Sequence, residues 1–122
     1  MIMRDDKDNL IVKKTFDFAL DTIDFSEKLR SLHKYEMSSQ LFKSGTSIGA
    51  NVWEAQNAES NADFIHKFKI AAKEADETKY WLLLCKASPH YPDPKPELFS
   101  ELKSITLITS KIISSSKKGK KI

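Results

Sequence analysis

The sequence predicts an all-α protein, an up-and-down bundle of four helices, and three observations carry that expectation. All four prolines (Pro89, Pro92, Pro94 and Pro96) fall in one short window, and residues 1–88 contain no glycine besides Gly45 and Gly49. On both sides of that window apolar residues recur at spacings of three, four and seven, the period of a helix with one face turned to a core. No segment alternates apolar and polar residues as a half-buried strand does. With 122 residues, 40% of them apolar and 30% charged, the chain suits one domain with a small packed core.

Asp8 or Asn9 can cap the first helix by offering a side-chain oxygen to the free N–H groups of its first turn. Val12, Phe16, Leu20 and Ile23 form its expected core stripe, flanked by Phe18, Phe25, Leu29 and Leu32. The turn near Ser31–Glu36 has neither Gly nor Pro to mark it. Met37, Leu41, Ser44, Ile48, Val52 and Ala55 give the second helix, ending near Asn57. Ser60 with Asp63 resembles a capping box at the start of the third. That helix carries Ile65, Phe68, Ala72, Ala75, Leu82 and Lys86 on one face and has room to reach Ala87. The window Ser88–Pro96 must be a loop, because its prolines lack donors and clash with a continuing helix. Pro96 and Glu97 suit the first turn of the fourth helix, whose stripe is Leu98, Leu102, Ile105, Thr109 and Ile112. The expected organisation is a leader over 1–8, a bundle over 9–113 and a disordered basic tail over 114–122.

The net charge of +3 belongs to that tail. Lys117, Lys118, Lys120 and Lys121 stand there without an acid, while residues 1–113 are near neutral. Such a tail can attract nucleic acid through phosphate contacts, or can be a solvated end. Cys85 is the lone cysteine, which excludes an intrachain disulfide. The longest apolar run, Tyr80–Cys85, falls far short of the ~20 residues that span a bilayer, so a soluble, cytoplasmic protein without membrane contact is expected.

Sites of chemistry are scarce. Gly45-Thr46-Ser47-Ile48-Gly49 matches the nucleophile elbow G-x-S-x-G, but that elbow needs a strand turning into a helix, and here the match falls inside a helical stripe. Its glycines lie one turn apart on one face and each costs about 1 kcal/mol of helix propensity, so a tight helix crossing at Gly45 and Gly49, with Ser47 and Asn51 as structural polar residues, is the better expectation. Asn51, a poor helix former, should be hydrogen-bonding something such as a neighbouring helix end. His33, His66 and His90 have no partner at metal-ligand spacing, and the acids Asp17/Asp21/Asp24 and Glu74/Asp76/Glu77 come without Glu-x-x-His motifs. No metal, cofactor, small-molecule substrate or enzymatic activity is expected.

The third helix has apolar residues to spare. Ile70, Trp81 and Leu84 form a second stripe within about 60° of one another, away from the core face, and mark an expected contact with another subunit. The same helix carries Lys67, Lys69, Lys73 and Lys79. Local pairs Asp63–Lys67 and Lys73–Glu77 would account for part of this charge, and a phosphate-binding surface for the rest.

The stretch from Gln40 to Ala55, Q-L-F-K-S-G-T-S-I-G-A-N-V-W-E-A, resembles the Q-L-x-[RK]-[SA]-x-x-S-I-x-x-N-[IV]-x-E-[GA] signature of the bacterial four-helix-bundle proteins first noticed in intervening sequences of large-subunit ribosomal RNA genes. Asp63–Phe68 and Ala71–Thr78 resemble that family's third helix, and the similarity spans roughly residues 9–113. Ser47, Asn51 and the basic Lys43 match signature positions, whereas Ala55 replaces the usual glycine. The resemblance implies a homopentamer without established enzymatic activity. A similar fold serves as the accessory variability protein of diversity-generating retroelements, a basic pentamer that binds a reverse transcriptase and nucleic acid. The expectation is therefore a non-enzymatic oligomeric scaffold that engages RNA, DNA or a nucleic-acid-processing protein through Lys43, Lys67, Lys69, Lys73 and the tail lysines. The alternative is a structural adaptor that binds protein alone.

Overall fold

The computed structural model describes residues 9–119. Four helices follow one another: α1 Leu10–Ser31, α2 Tyr35–Ala55, α3 Asn61–Ala87 and α4 Pro96–Gly119, with no strand among the described residues. Each helix packs on the next and α4 closes back on α1, while the diagonal pairs do not meet. That neighbour order is the one an up-and-down bundle produces.

Local chemistry sets the helix ends. Asn9 caps α1, its Oδ1 accepting from the Val12 N–H at 3.4 Å, and its Nδ2 donates to Gln56 Oε1 at 2.7 Å, tying the start of α1 to the end of α2. The first turn is made by His33, which adopts φ +63°, a conformation glycine usually supplies at helix ends. The Lys34 N–H reaches back to the Leu29 carbonyl at 2.9 Å, and the Tyr35 ring lies near both the His33 ring and the Arg30 guanidinium. Ser60 caps α3 by accepting from the Asp63 N–H at 3.0 Å.

Two core faces differ from the expected ones. On α1 the core is Ile11, Val12, Thr15, Phe18, Thr22, Phe25, Ser26 and Leu29, whereas Phe16 and Leu20 are 56% and 49% exposed. The inward threonines satisfy themselves: Thr15 Oγ1 donates to the Ile11 carbonyl at 2.8 Å and Thr22 Oγ1 to the Phe18 carbonyl at 2.9 Å. A polar residue whose hydroxyl is already bonded costs little to bury, so small side chains take the crowded side and bulky ones are left outside. On α3 the buried row is Phe68, Ala71, Ala75, Thr78, Leu82 and Cys85; Ile65 and Ala72 sit at its margin and Lys86 is exposed.

The α4 boundary also moves. Residues 114–119, expected as part of a disordered tail, continue the helix. Nothing between Glu97 and Lys118 breaks a helix, Lys117 and Lys118 suit the negative end of its dipole, and Asn61 Nδ2 donates to the Ser116 carbonyl at 3.1 Å. Lys120, Lys121 and the leader over 1–8 lie outside the described residues. Among the described residues no helix is long and apolar enough to cross a membrane.

Candidate functional site

Gly45 and Gly49 of α2 face α1. A Cβ on Gly45 would overlap the Thr22 methyl, with Thr22 Oγ1 at 2.8 Å, and one on Gly49 would lie 3.1 Å from the Thr15 backbone carbonyl. Glycine is what lets these two helices approach, because Thr22 is buried and stiff and a helix backbone yields little. Below this crossing Ser26 and Ser38 clasp, each hydroxyl meeting the other's backbone carbonyl at 2.8 Å.

Ser47 and Asn51 do not join that crossing. They lie half-buried on the opposite flank of α2, and Asn51 Nδ2 donates at 2.9 Å to the Ser47 carbonyl of its own helix, not to a neighbouring helix end. In the buried part of the α2/α3 seam the polar bridge is made by Ser44, whose hydroxyl hydrogen-bonds Thr78 Oγ1 at 2.9 Å. Sequence reasoning counted Ser44 as a small core residue; its partner is too remote in sequence to be seen there.

A shallow groove of about 540 Å³ between α2 and α3 brings Gln40, Lys43 and Ser47 against Glu74 and Glu77. At one end Lys67 Nζ meets Glu54 at 2.9 Å, in place of the expected local pair with Asp63. That hydrogen bond and the Glu54 charge raise the Lys67 pKa. At the other end the Trp81 indole donates to Glu77 Oε2 at 3.2 Å, while Lys73 and Glu77 form no ion pair. Burial, followed by the charge of Glu77, raises the pKa of Glu74. The second α3 stripe belongs to this flank: Ile70 and Trp81 are half-buried, and Leu84 is 37% exposed. With two glutamates among its walls, the groove is a poor anion site, so Lys43 and Lys67 are separated in character from the other lysines.

Those others gather on the far side. A groove of about 630 Å³ between α3 and α4 has Phe99, Leu102 and Leu107 in its walls, with Lys73, Lys79 and Lys103 against Asp76 alone. Lys69, Lys111, Lys117 and Lys118 are exposed on the same two helices. Among the described residues the ion-paired lysines are Lys13, Lys14 and Lys67, so none of these seven is held in an ion pair, although Lys73 acts by its charge on Glu74. Acids mass elsewhere: Asp17, Asp21, Asp24 and Glu27 occupy the exposed middle of α1 without an intervening base. A near-neutral body therefore hides segregated charge, which a sum over the sequence cannot show. No group of three metal-ligating His, Cys, Asp or Glu side chains occurs among the described residues.

The model of the 23S rRNA-intervening sequence protein family matches residues 7–115, nearly the whole of the chain. The chain belongs to this family. A solved structure from Bacteroides thetaiotaomicron, a protein of unknown function from the S23 ribosomal protein family, is similar at 37% identity with a TM-score of 0.80, covering 84% of this chain and 97% of that one. No curated protein matches the chain. The Gln40–Ala55 stretch lies on α2, where Gly45 and Gly49 serve the α1 crossing and Ser47 lines the groove toward α3.

Proposed function

We propose that the protein is a non-enzymatic helical scaffold that assembles with copies of itself and holds nucleic acid, or a nucleic-acid-processing protein, on its basic side. The observation that carries this reading is the set of lysines, held in no ion pair among the described residues, on the outer flanks of α3 and α4: Lys69, Lys73, Lys79, Lys103, Lys111, Lys117 and Lys118. Mobile ammonium groups over a shallow surface suit a phosphate backbone, which is read by charge and position more than by shape. Repeating that surface around an oligomer would multiply the contacts. The family's description, which refers to ribosomal RNA intervening sequences, makes structured RNA the first ligand to try.

The test is retention of structured RNA against salt. Retention should fall as salt rises, with a slope of about −0.7 to −0.9 for each phosphate contact. Replacing Lys69, Lys117 and Lys118 by glutamine should flatten that slope by about one per lysine that contacts phosphate. An oligomer indifferent to RNA at low salt would instead favour the protein-binding adaptor.

A further inference from the structure

Besides the α3 stripe that ends in Leu83 and Leu84, the bundle carries two apolar surfaces whose charges are opposite. One is the outer face of α1 and α2, where Phe16, Leu20, Phe42 and Trp53 are each about half exposed, and Phe16 and Trp53 line a shallow depression of about 280 Å³ together with Ala19 and Gly49. Asp17, which already pairs with Lys13 at 3.1 Å, and the unpaired Asp21 and Asp24 run beside Phe16 and Leu20, one to four residues away on the same exposed side of α1. The other surface is the α3/α4 groove, with Phe99 and Leu107 in its walls and Lys73, Lys79 and Lys103 at its margins. We propose that these two surfaces are the two halves of one interface, the acid-flanked α1/α2 face of one copy seating in the lysine-lined α3/α4 groove of the next.

This rests on the reading of the protein as a self-assembling scaffold and specifies how the copies meet. The occupant follows from charge. A two-fold contact of α1/α2 faces would bring two acidic rows together, and one of α3/α4 grooves would bring two sets of lysines together, both unfavourable. Pairing face with groove removes apolar surface from water on both sides and gives each acid row a cationic neighbour. Because two different surfaces meet, the contact is head-to-tail, and repeating it closes a ring when the rotation permits. Lys73, Lys79 and Lys103 would then serve the assembly, leaving Lys69, Lys111, Lys117 and Lys118 for phosphate.

Two variants test it. Phe16→Gln with Leu20→Gln breaks the face, and Lys79→Glu with Lys103→Glu breaks the groove. All four positions are exposed, and circular dichroism checks that the helices persist. Each variant alone should have the mass of one chain by light scattering. Mixed in equal amounts, they should form a dimer and nothing larger, since each keeps the half that the other lost. A mixture that stays monomeric, or either variant with undiminished wild-type mass, overturns the face assignment. Phe42→Gln with Trp53→Gln substitutes if the first variant unfolds. A wild-type chain that is itself monomeric overturns the scaffold reading. A wild-type oligomer dissociated by Trp81→Glu but not by the face or groove variants overturns only the pairing proposed here.

Discussion

The seam between α1 and α2 and the seam between α3 and α4 are built on different principles. In the first, Gly45 and Gly49 remove side chains where Thr22 and Thr15 press in, and the Ser26–Ser38 clasp fixes the register with buried hydrogen bonds. In the second, the helices stand far enough apart to leave a groove, and the side-chain hydrogen bond joining them, from Asn61 to Ser116, is exposed near their ends. A seam closed by small residues has no room for a ligand, but it pushes large apolar side chains such as Phe16 and Trp53 to its outer rim. The α3/α4 seam, where Ala72 and Ala75 share the groove with Phe99 and Leu107, keeps an opening. The same bundle thereby presents a ridge on one side and a groove on the other.

The largest contrast should come from leucines on the two sides. Leu41, fully buried in α2, should cost about 2–5 kcal/mol when replaced by alanine. Leu107, 62% exposed beside the α3/α4 groove, should change monomer stability by no more than about 0.5 kcal/mol. Urea denaturation measures both, and a costly Leu107→Ala in a monomeric sample would mean that the groove is closed in solution. A smaller effect is expected from Gly45→Ala. Overpacking against Thr22 should cost about 1–3 kcal/mol, partly offset by about 1 kcal/mol of helix propensity, for a net loss. A stabilised Gly45→Ala would show that the α1/α2 seam is looser than described.

Cys85 sharpens the comparison from inside α3. Burial pushes its thiol pKa up to about 11 from the ordinary 9.0. Because the folded state then holds the proton more tightly than the unfolded state, this group's contribution is fully present below about pH 9. It is lost as pH rises toward 11, and around neutral pH this group makes stability no more and no less pH-dependent. Thiol-reactive reagents should accordingly modify the native chain only at the rate at which it opens. Rapid labelling at pH 7 would show that water reaches the core beneath the α3/α4 side.

Four helices and most of their ends were legible, because proline placement and apolar spacing are local signals. The α2 face, Met37 through Ala55, was read correctly, since its small members Ser44 and Ala55 fall in the same stripe as its large ones. The α1 face was not. Phe16 and Leu20 outweigh Thr15 and Thr22 on any apolar count, and only the partner glycines on α2 show why the threonines turn inward. The His33 turn carried no signal because a histidine occupies a glycine's conformation. The end of α4 was hidden by a serine- and lysine-rich composition that reads as solvated chain, while its tether, Asn61, lies 55 residues away. For the site, lysines could be found in sequence but not sorted. Lys67 crosses to Glu54, Lys43 sits beside glutamates, and Lys73 joins Lys79 and Lys103 only once α3 and α4 are side by side. Phe16 and Leu20, which the spacing assigns to the core, are more exposed than the α3 stripe of Ile70, Trp81 and Leu84.

The most direct test of the scaffold is the solution mass of the unmodified chain, by size exclusion with light scattering, with and without structured RNA. The account predicts a defined multiple of 13.9 kDa that gains mass with RNA at low salt and sheds it as salt rises. A single chain of 13.9 kDa, with or without RNA, would contradict it.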